Sequence, residues 1–150
     1  MRGHGYTLIE LLIVITIVGI GASVVILSVR GNETRRLGED ADRLGALFRM
    51  AQGEARVSGR ALLWEADLGG YSFRWVEPGT EILLPEELNR RRLWSVDVRR
   101  IDNTRLLFSR EPLREPVVVE ISTAGDAMRL ELDALGEPRR CTGIECAASR

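Results

Sequence analysis

Glu10 is a carboxylate at the threshold of nineteen uncharged residues, Leu11 to Val29. A run of that kind is long enough to cross a bilayer core as a helix, which needs about 20 residues. A charge inside such a helix costs roughly 2.5 to 3.5 kcal/mol at its centre and less near the interface. An acid placed there calls for a positively charged partner. The other groups able to do chemistry are Cys141 and Cys146, in Cys-Thr-Gly-Ile-Glu-Cys, and the arginine runs Arg90-Arg91-Arg92, Arg99-Arg100 and Arg139-Arg140. Two thiols can pair, stay reduced or bind metal, and arginines can grip phosphate. Enzymatic patterns are missing: the one histidine is His4, and neither G-x-S-x-G nor a phosphate-cradling glycine loop occurs. No catalytic residue, cofactor or metal is expected.

Two ordinary readings of the N-terminus fit poorly. A secretory signal wants a shorter apolar core, about 7 to 15 residues, and a good small-residue cleavage site, and Ile20-Gly21-Ala22 is a poor one. A plain anchor accounts for the run and leaves Gly5 and Glu10 without a reason.

Gly5-Tyr6-Thr7-Leu8-Ile9-Glu10, followed by Leu11-Leu12-Ile13-Val14, resembles the class III signal of type IV pilins and type II secretion pseudopilins, with tyrosine in place of the usual phenylalanine. The resemblance implies that a prepilin peptidase cuts between Gly5 and Tyr6 and methylates the new amine on Tyr6. A buried ammonium needs an opposite charge. The family arrangement pairs the carboxylate, here Glu10, with the amine of a neighbouring subunit as the subunits leave the membrane for a filament. Counting positive charges does not orient the anchor, because Arg30, Arg35 and Arg36 lie on the far side and only Arg2 and the chain amine on the near side. Orientation follows from the resemblance. The peptidase works on the cytoplasmic side, which implies a single-pass protein of the bacterial inner membrane with its C-terminal domain in the periplasm.

The expected organisation is a leader at 1–5, a transmembrane helix at 6–30 and a periplasmic domain at 31–150. After Arg30 there are 19 arginines and 21 acids, a formal balance of -2, whereas a nucleic-acid binder is usually clearly basic. All 21 basic residues are arginine, without clustering on one face, which reads as a compositional bias. Leu37, Ala41, Leu44, Phe48, Ala51 and Ala55 recur every three or four residues, one stripe of a helix that continues to about residue 58. Arg35, Arg36, Glu39, Asp40, Asp42, Arg43, Arg49, Gln52, Glu54 and Arg56 form its polar face. Gly31-Asn32 is a weak spot where bending or melting is expected, with Gly38, Gly45 and Gly53 adding to it. Ser58-Gly59 is the stop.

Beyond Gly59 the pattern becomes strand-like. Ala61 to Glu65 and Tyr71 to Val76 read as a hairpin around Asp67-Leu68-Gly69-Gly70, with the rings of Tyr71, Phe73 and Trp75 on one face against the helix. Residues 77 to 92 read as an irregular loop with a helical turn at Pro85 to Asn89. Further strands are expected at Leu93 to Arg99, Arg105 to Ser109, Val117 to Ser122 and Met128 to Asp133. The fold class is α+β, a long N-terminal helix, half transmembrane and half amphipathic, packed on an antiparallel β-sheet domain.

Leu106-Leu107-Phe108-Ser109, Glu115 to Ile121 and Met128 to Gly136 are similar to the sheet region of the GspH group of minor pseudopilins. This resemblance is looser than that of the N-terminus. Together they imply a pilin-like fold and a minor pseudopilin near the tip of a periplasmic pseudopilus that drives protein export in type II secretion. The implied partners are major and minor pseudopilins, the prepilin peptidase, the inner-membrane assembly platform and inner-membrane lipid. Nucleic acid is not expected. The alternative is a minor type IV pilin of the FimT or FimU type, in pilus assembly or DNA uptake. In an oxidising periplasm Cys141 and Cys146 are expected to form a disulfide worth about 2 to 3 kcal/mol, with free thiols the alternative. A zinc shell is not expected, since His4 lies across the membrane.

Overall fold

The structure is a computed structural model that describes residues 8–77, 83–111 and 115–141, and of residues 21–30 only the backbone. It divides into two compact units, Met1–Arg35 and Arg36–Arg150. Helix α1, Leu8–Ser58, supplies residues to both. The expected melting at Gly31-Asn32 does not occur, and Gly38, Gly45 and Gly53 are helical as well. Each glycine costs helix stability of about 1 kcal/mol, a cost that packing can offset. At Gly45 an added Cβ would already touch Leu130 and Pro138 at 3.7 Å, and at Gly38 it would meet Arg140 at 3.3 Å. The helix stops where expected. Gly59 has φ +71° and its N–H donates to the Ala55 carbonyl at 3.0 Å, closing the last turn in a conformation suited to glycine.

In the second unit the stripe Leu37, Ala41, Leu44, Phe48, Ala51 and Ala55 is buried, as its spacing predicts. Three further residues share that face: Leu47, Asp40 and Gln52. The assignment of Asp40 and Gln52 to the polar face is therefore corrected. Both fall three or four residues from members of the stripe, and loop partners satisfy their polar atoms. Ser95 donates its N–H and its hydroxyl to Asp40 Oδ2, each at 2.7 Å, and Arg43 stands 3.5 Å from Oδ1. Gln52 Nε2 donates to the Ser109 carbonyl at 2.8 Å.

Eight strands follow: β1 Leu62–Asp67, β2 Gly70–Trp75, β3 Arg92–Leu93, β4 Arg100–Asp102, β5 Arg105–Phe108, β6 Val117–Ser122, β7 Ala127–Leu132 and β8 Pro138–Cys141. They form two antiparallel four-stranded sheets, ordered β3-β2-β1-β5 and β4-β6-β7-β8. The architecture is α+β and consistent with a pilin-like fold. The chain changes sheet three times, from β3 to β4, from β4 to β5 and from β5 to β6, the second time at Asn103-Thr104. There Asn103 adopts φ 57° and donates its amide to the Val118 carbonyl, while Thr104 O accepts from Ala66 N at 2.9 Å.

The β1–β2 hairpin forms around the expected turn, with Asp67 Oδ1 accepting from the N–H groups of Gly69 and Gly70 at 2.8 and 3.0 Å. Tyr71 and Phe73 are buried and Trp75 is partly so, its ring covered by the Arg60 guanidinium 4.8 Å from the centroid. Phe48 on the helix meets Trp64 edge-on at 5.1 Å, Phe108 at 5.2 Å and Phe73 at 6.3 Å. These rings are the hub of the core. Burial also pushes the Tyr71 hydroxyl up to about 12.

Two expectations are corrected. Of Leu93 to Arg99 only Leu93 lies in a strand, paired with Gly70. Trp94 and Ser95 direct their polar groups sideways instead, Trp94 Nε1 to the Asp67 carbonyl at 2.8 Å and Ser95 to Asp40. The second is β8, which the sequence did not suggest because it opens on a proline and carries Arg139-Arg140. It is an edge strand, where a missing N–H is tolerated. The turn at Pro85 to Asn89 is present, closed by Leu88 N and Asn89 N on the Pro85 carbonyl, and it seats Leu88 in the core.

Gly70 is where the hairpin and β3 approach most closely. A Cβ there would lie 2.1 Å from the Arg92 carbonyl oxygen, whereas at Gly125 it would meet nothing within 4 Å. Gly70→Ala should destabilise the fold by about 1 to 3 kcal/mol in urea unfolding, and Gly125→Ala should fall within about 0.5 kcal/mol of the parent.

Candidate functional site

In the first unit, α1 carries Glu10 in its first turn, and its described apolar side chains from Leu8 to Ile20 are exposed by 51% to 83%. The apolar residues follow one another without a polar stripe, so every side of the helix is apolar. A helix of this type is stable in lipid or inside a protein bundle and unfavourable in water. Thr16 fits such surroundings, since its hydroxyl donates to the Leu12 carbonyl at 2.7 Å and is satisfied within the helix. Glu10 is exposed together with these residues. Among the residues whose side chains are described, no helix is long and apolar enough to cross a membrane. Gly5 and Tyr6 lie outside the described residues, as do the side chains of 21–30, the second half of the apolar run.

All members of the arginine runs but Arg92 meet carboxylates of the same chain. Arg90 pairs with Glu86, and Arg91 Nη2 donates to both oxygens of Asp67 at 2.8 and 2.9 Å. Arg92 is half-buried and donates to the Glu87 carbonyl at 3.0 Å. Further on, Arg99 meets Asp97 at 2.7 Å, Arg100 meets Asp102 at 3.0 Å and Arg140 meets Asp42 at 3.5 Å. On the outer face of the first sheet Glu65 receives both Arg74 and Arg105, each at 2.9 Å. Hydrogen bonding from Arg74 holds the Glu65 carboxyl below its ordinary value, and Arg91 with the Gly69 N–H does the same for Asp67. The Arg100 guanidinium is shifted up by its hydrogen bond to Asp102.

At the end of β8, Cys141 is buried and disulfide-bonded, and Cys146 lies outside the described residues. Beside Cys141 stands Glu131, a carboxylate on β7 that is itself buried. Its Oε2 is 3.5 Å from Cys141 Sγ and 3.1 Å from Arg139. Sequence reasoning passed over Glu131 because it sits in an alternating strand where it should face water. The signal was the cross-strand pairing Glu131↔Arg139, visible only once β8 is known to be a strand. Among the described residues no group of three or more His, Cys, Asp or Glu side chains could hold a metal ion.

Residues 1–26 match the family model of the prokaryotic N-terminal methylation motif. That match spans 26 of the 150 residues, so it speaks for the N-terminus and not for the sheet domain. It supports a type IV pilin-like protein that is processed and methylated in the prepilin manner and anchored in a membrane. No curated protein and no solved structure matches the chain.

The depressed carboxyls make a pH prediction. Glu65 and Asp67 sit below their ordinary values of 4.5 and 3.8 when folded, so their stabilisation is full above those values and is lost as pH falls through the lower folded ones. The urea midpoint should decline below about pH 4. In Arg91→Ala, which removes the first cause of the Asp67 shift, that decline should be shallower, and added salt should shrink the difference.

Proposed function

We propose that the chain is a minor pseudopilin of the type II secretion system, a structural subunit placed near the tip of a periplasmic filament that drives export across the outer membrane. The observation that carries this reading is the methylation motif over residues 1–26 joined to an all-round apolar helix with one acid in its first turn. In this reading the leader 1–5 is removed between Gly5 and Tyr6, Tyr6 is N-methylated, and residues 6–30 span the inner membrane once with the rest in the periplasm. Glu10 then pairs with the Tyr6 amine of a neighbouring subunit. The pair forms only after cleavage, because the leader occupies that nitrogen beforehand. Other pseudopilins, the peptidase and the assembly platform are the partners. No reaction is assigned to the chain itself.

Cys141 and Cys146, the sole cysteines, pair with each other in the same reading and fasten the C-terminal segment to the end of β8. The intramolecular carboxylate partners of the arginines, together with the formal balance of -2 past Arg30, support export over the alternative of a DNA-uptake pilin.

Glu10→Gln should leave membrane insertion and leader removal intact and abolish incorporation into sheared filaments. Wild-type amounts of the variant in the filament would overturn the reading. Salt-sensitive retardation of labelled DNA, without co-purification of other pseudopilins, would move the assignment to the pilus. For the cysteines, non-reducing mass analysis of the exported protein should find a single intramolecular disulfide and no alkylatable thiol.

A further inference from the structure

We infer that the outward face of α1 between Ala46 and Val57 is a docking surface for a second copy of this chain, running parallel to the first. Ala46, Met50, Gly53 and Val57 recur at spacings of four, three and four, and at 3.6 residues per turn they lie on the side of the helix away from Leu44, Phe48, Ala51 and Ala55. All four are exposed, Met50 by 39% and Val57 by 87%. An apolar stripe on that side does nothing for the core of its own chain. Gly53 weakens the helix relative to alanine, and a Cβ there would meet nothing within 4 Å, so no contact among the described residues offsets the loss. A bare backbone at that point lets a second helix come close.

Charge selects the occupant and its direction. Arg49 and Glu54 flank the stripe on opposite sides, and among the described residues neither side chain meets an opposite charge, unlike most arginines of the sheet domain. Two parallel helices that meet along a repeat of three and four bring a residue on one flank of the first against the residue five places later on the opposite flank of the second. Arg49 and Glu54 are five places apart, so each copy's Arg49 faces the other's Glu54 and both pairs attract. In an antiparallel pair like flanks meet, which sets arginine beside arginine and glutamate beside glutamate. The stripe is bounded at both ends. Arg43, the next position of the repeat before Ala46, is held by Asp40 at 3.5 Å, and α1 stops at Ser58 just past Val57. A contact this short is weak between free molecules and gains from copies held side by side, as anchoring in one membrane holds them. The inference goes beyond the choice of filament and does not depend on removal of the leader.

The test uses purified full-length protein in detergent micelles, with one added cysteine at a time, copper phenanthroline as oxidant and non-reducing gels as the readout. Met50→Cys should give a covalent dimer, whereas Gly125→Cys, at an open and exposed position, should not. Added to Met50→Cys, either Arg49→Glu or Glu54→Arg replaces two attractions by two repulsions and should slow cross-linking about tenfold. The two changes together exchange the signs and should restore the rate of Met50→Cys alone. Gly53→Leu has room in its own chain, so it should suppress the dimer without lowering the urea midpoint. No dimer from Met50→Cys, an equal yield from Gly125→Cys, or a double charge variant as slow as the single ones would overturn the surface. Glu10→Gln should leave the Met50→Cys cross-link intact, so filament incorporation and this contact succeed or fail separately.

Discussion

Helix α1 changes the character of its surface along its length, apolar on every side at first and striped from Leu37, and most of the second unit follows from that stripe. From Leu8 to Ile20 its apolar side chains point in every direction and are exposed, which suits lipid or the company of similar helices. From Leu37 onward the apolar residues contract to a single stripe, and charged residues take the opposite face. A stripe needs a cover. Phe48 supplies its centre, and the first sheet answers with Trp64, Phe73 and Phe108 at ring distances of 5.1 to 6.3 Å. The second sheet brings Leu130 and Pro138 against Gly45, where the absence of a side chain permits the approach.

Polar groups decide where the loops attach to that core. Asp40 and Gln52 lie on the buried stripe, and each would be costly without a partner, on the order of 1 to 3 kcal/mol. Ser95 answers the first and the Ser109 carbonyl the second. Both partners sit just past strand ends, β3 in one case and β5 in the other. The helix therefore fixes the path of the irregular segment 94–99 as well as the sheets. The abundant arginines follow a related logic. Most of those on the sheet domain stand against acids of the same chain, and exposed pairs of this kind add little stability each. Their larger consequence is to leave few unneutralised charges on the domain.

The sequence was most legible where one physical signal dominated. The stripe from Leu37 to Ala55, the stop at Gly59 and the Asp67–Gly70 turn were all readable, because spacing, positive φ and a side-chain cap each have a distinct local signature. Asp40 and Gln52 were misplaced because a helix face is wide enough to admit both i+3 and i+4 positions, and residue type alone suggested solvent. Strand β4 is three residues long and β8 begins with proline, so neither carries alternation that a local reading could find. Glu10 stood out in the sequence by its conflict with the apolar run. The burial of Glu131 did not stand out, since it depends on a neighbour strand that only tertiary pairing creates.

That difference has a physical root in how each acid is tolerated. Glu10 stands on a surface exposed along with its apolar neighbours, so whatever covers the helix must also accommodate the carboxylate. A non-polar cover would leave an ion in a medium of low dielectric, which costs several kcal/mol. The pairing proposed above, with the amine of a neighbouring subunit, would offset that cost. Glu131, in contrast, is accommodated within its own sheet by Arg139 across β8.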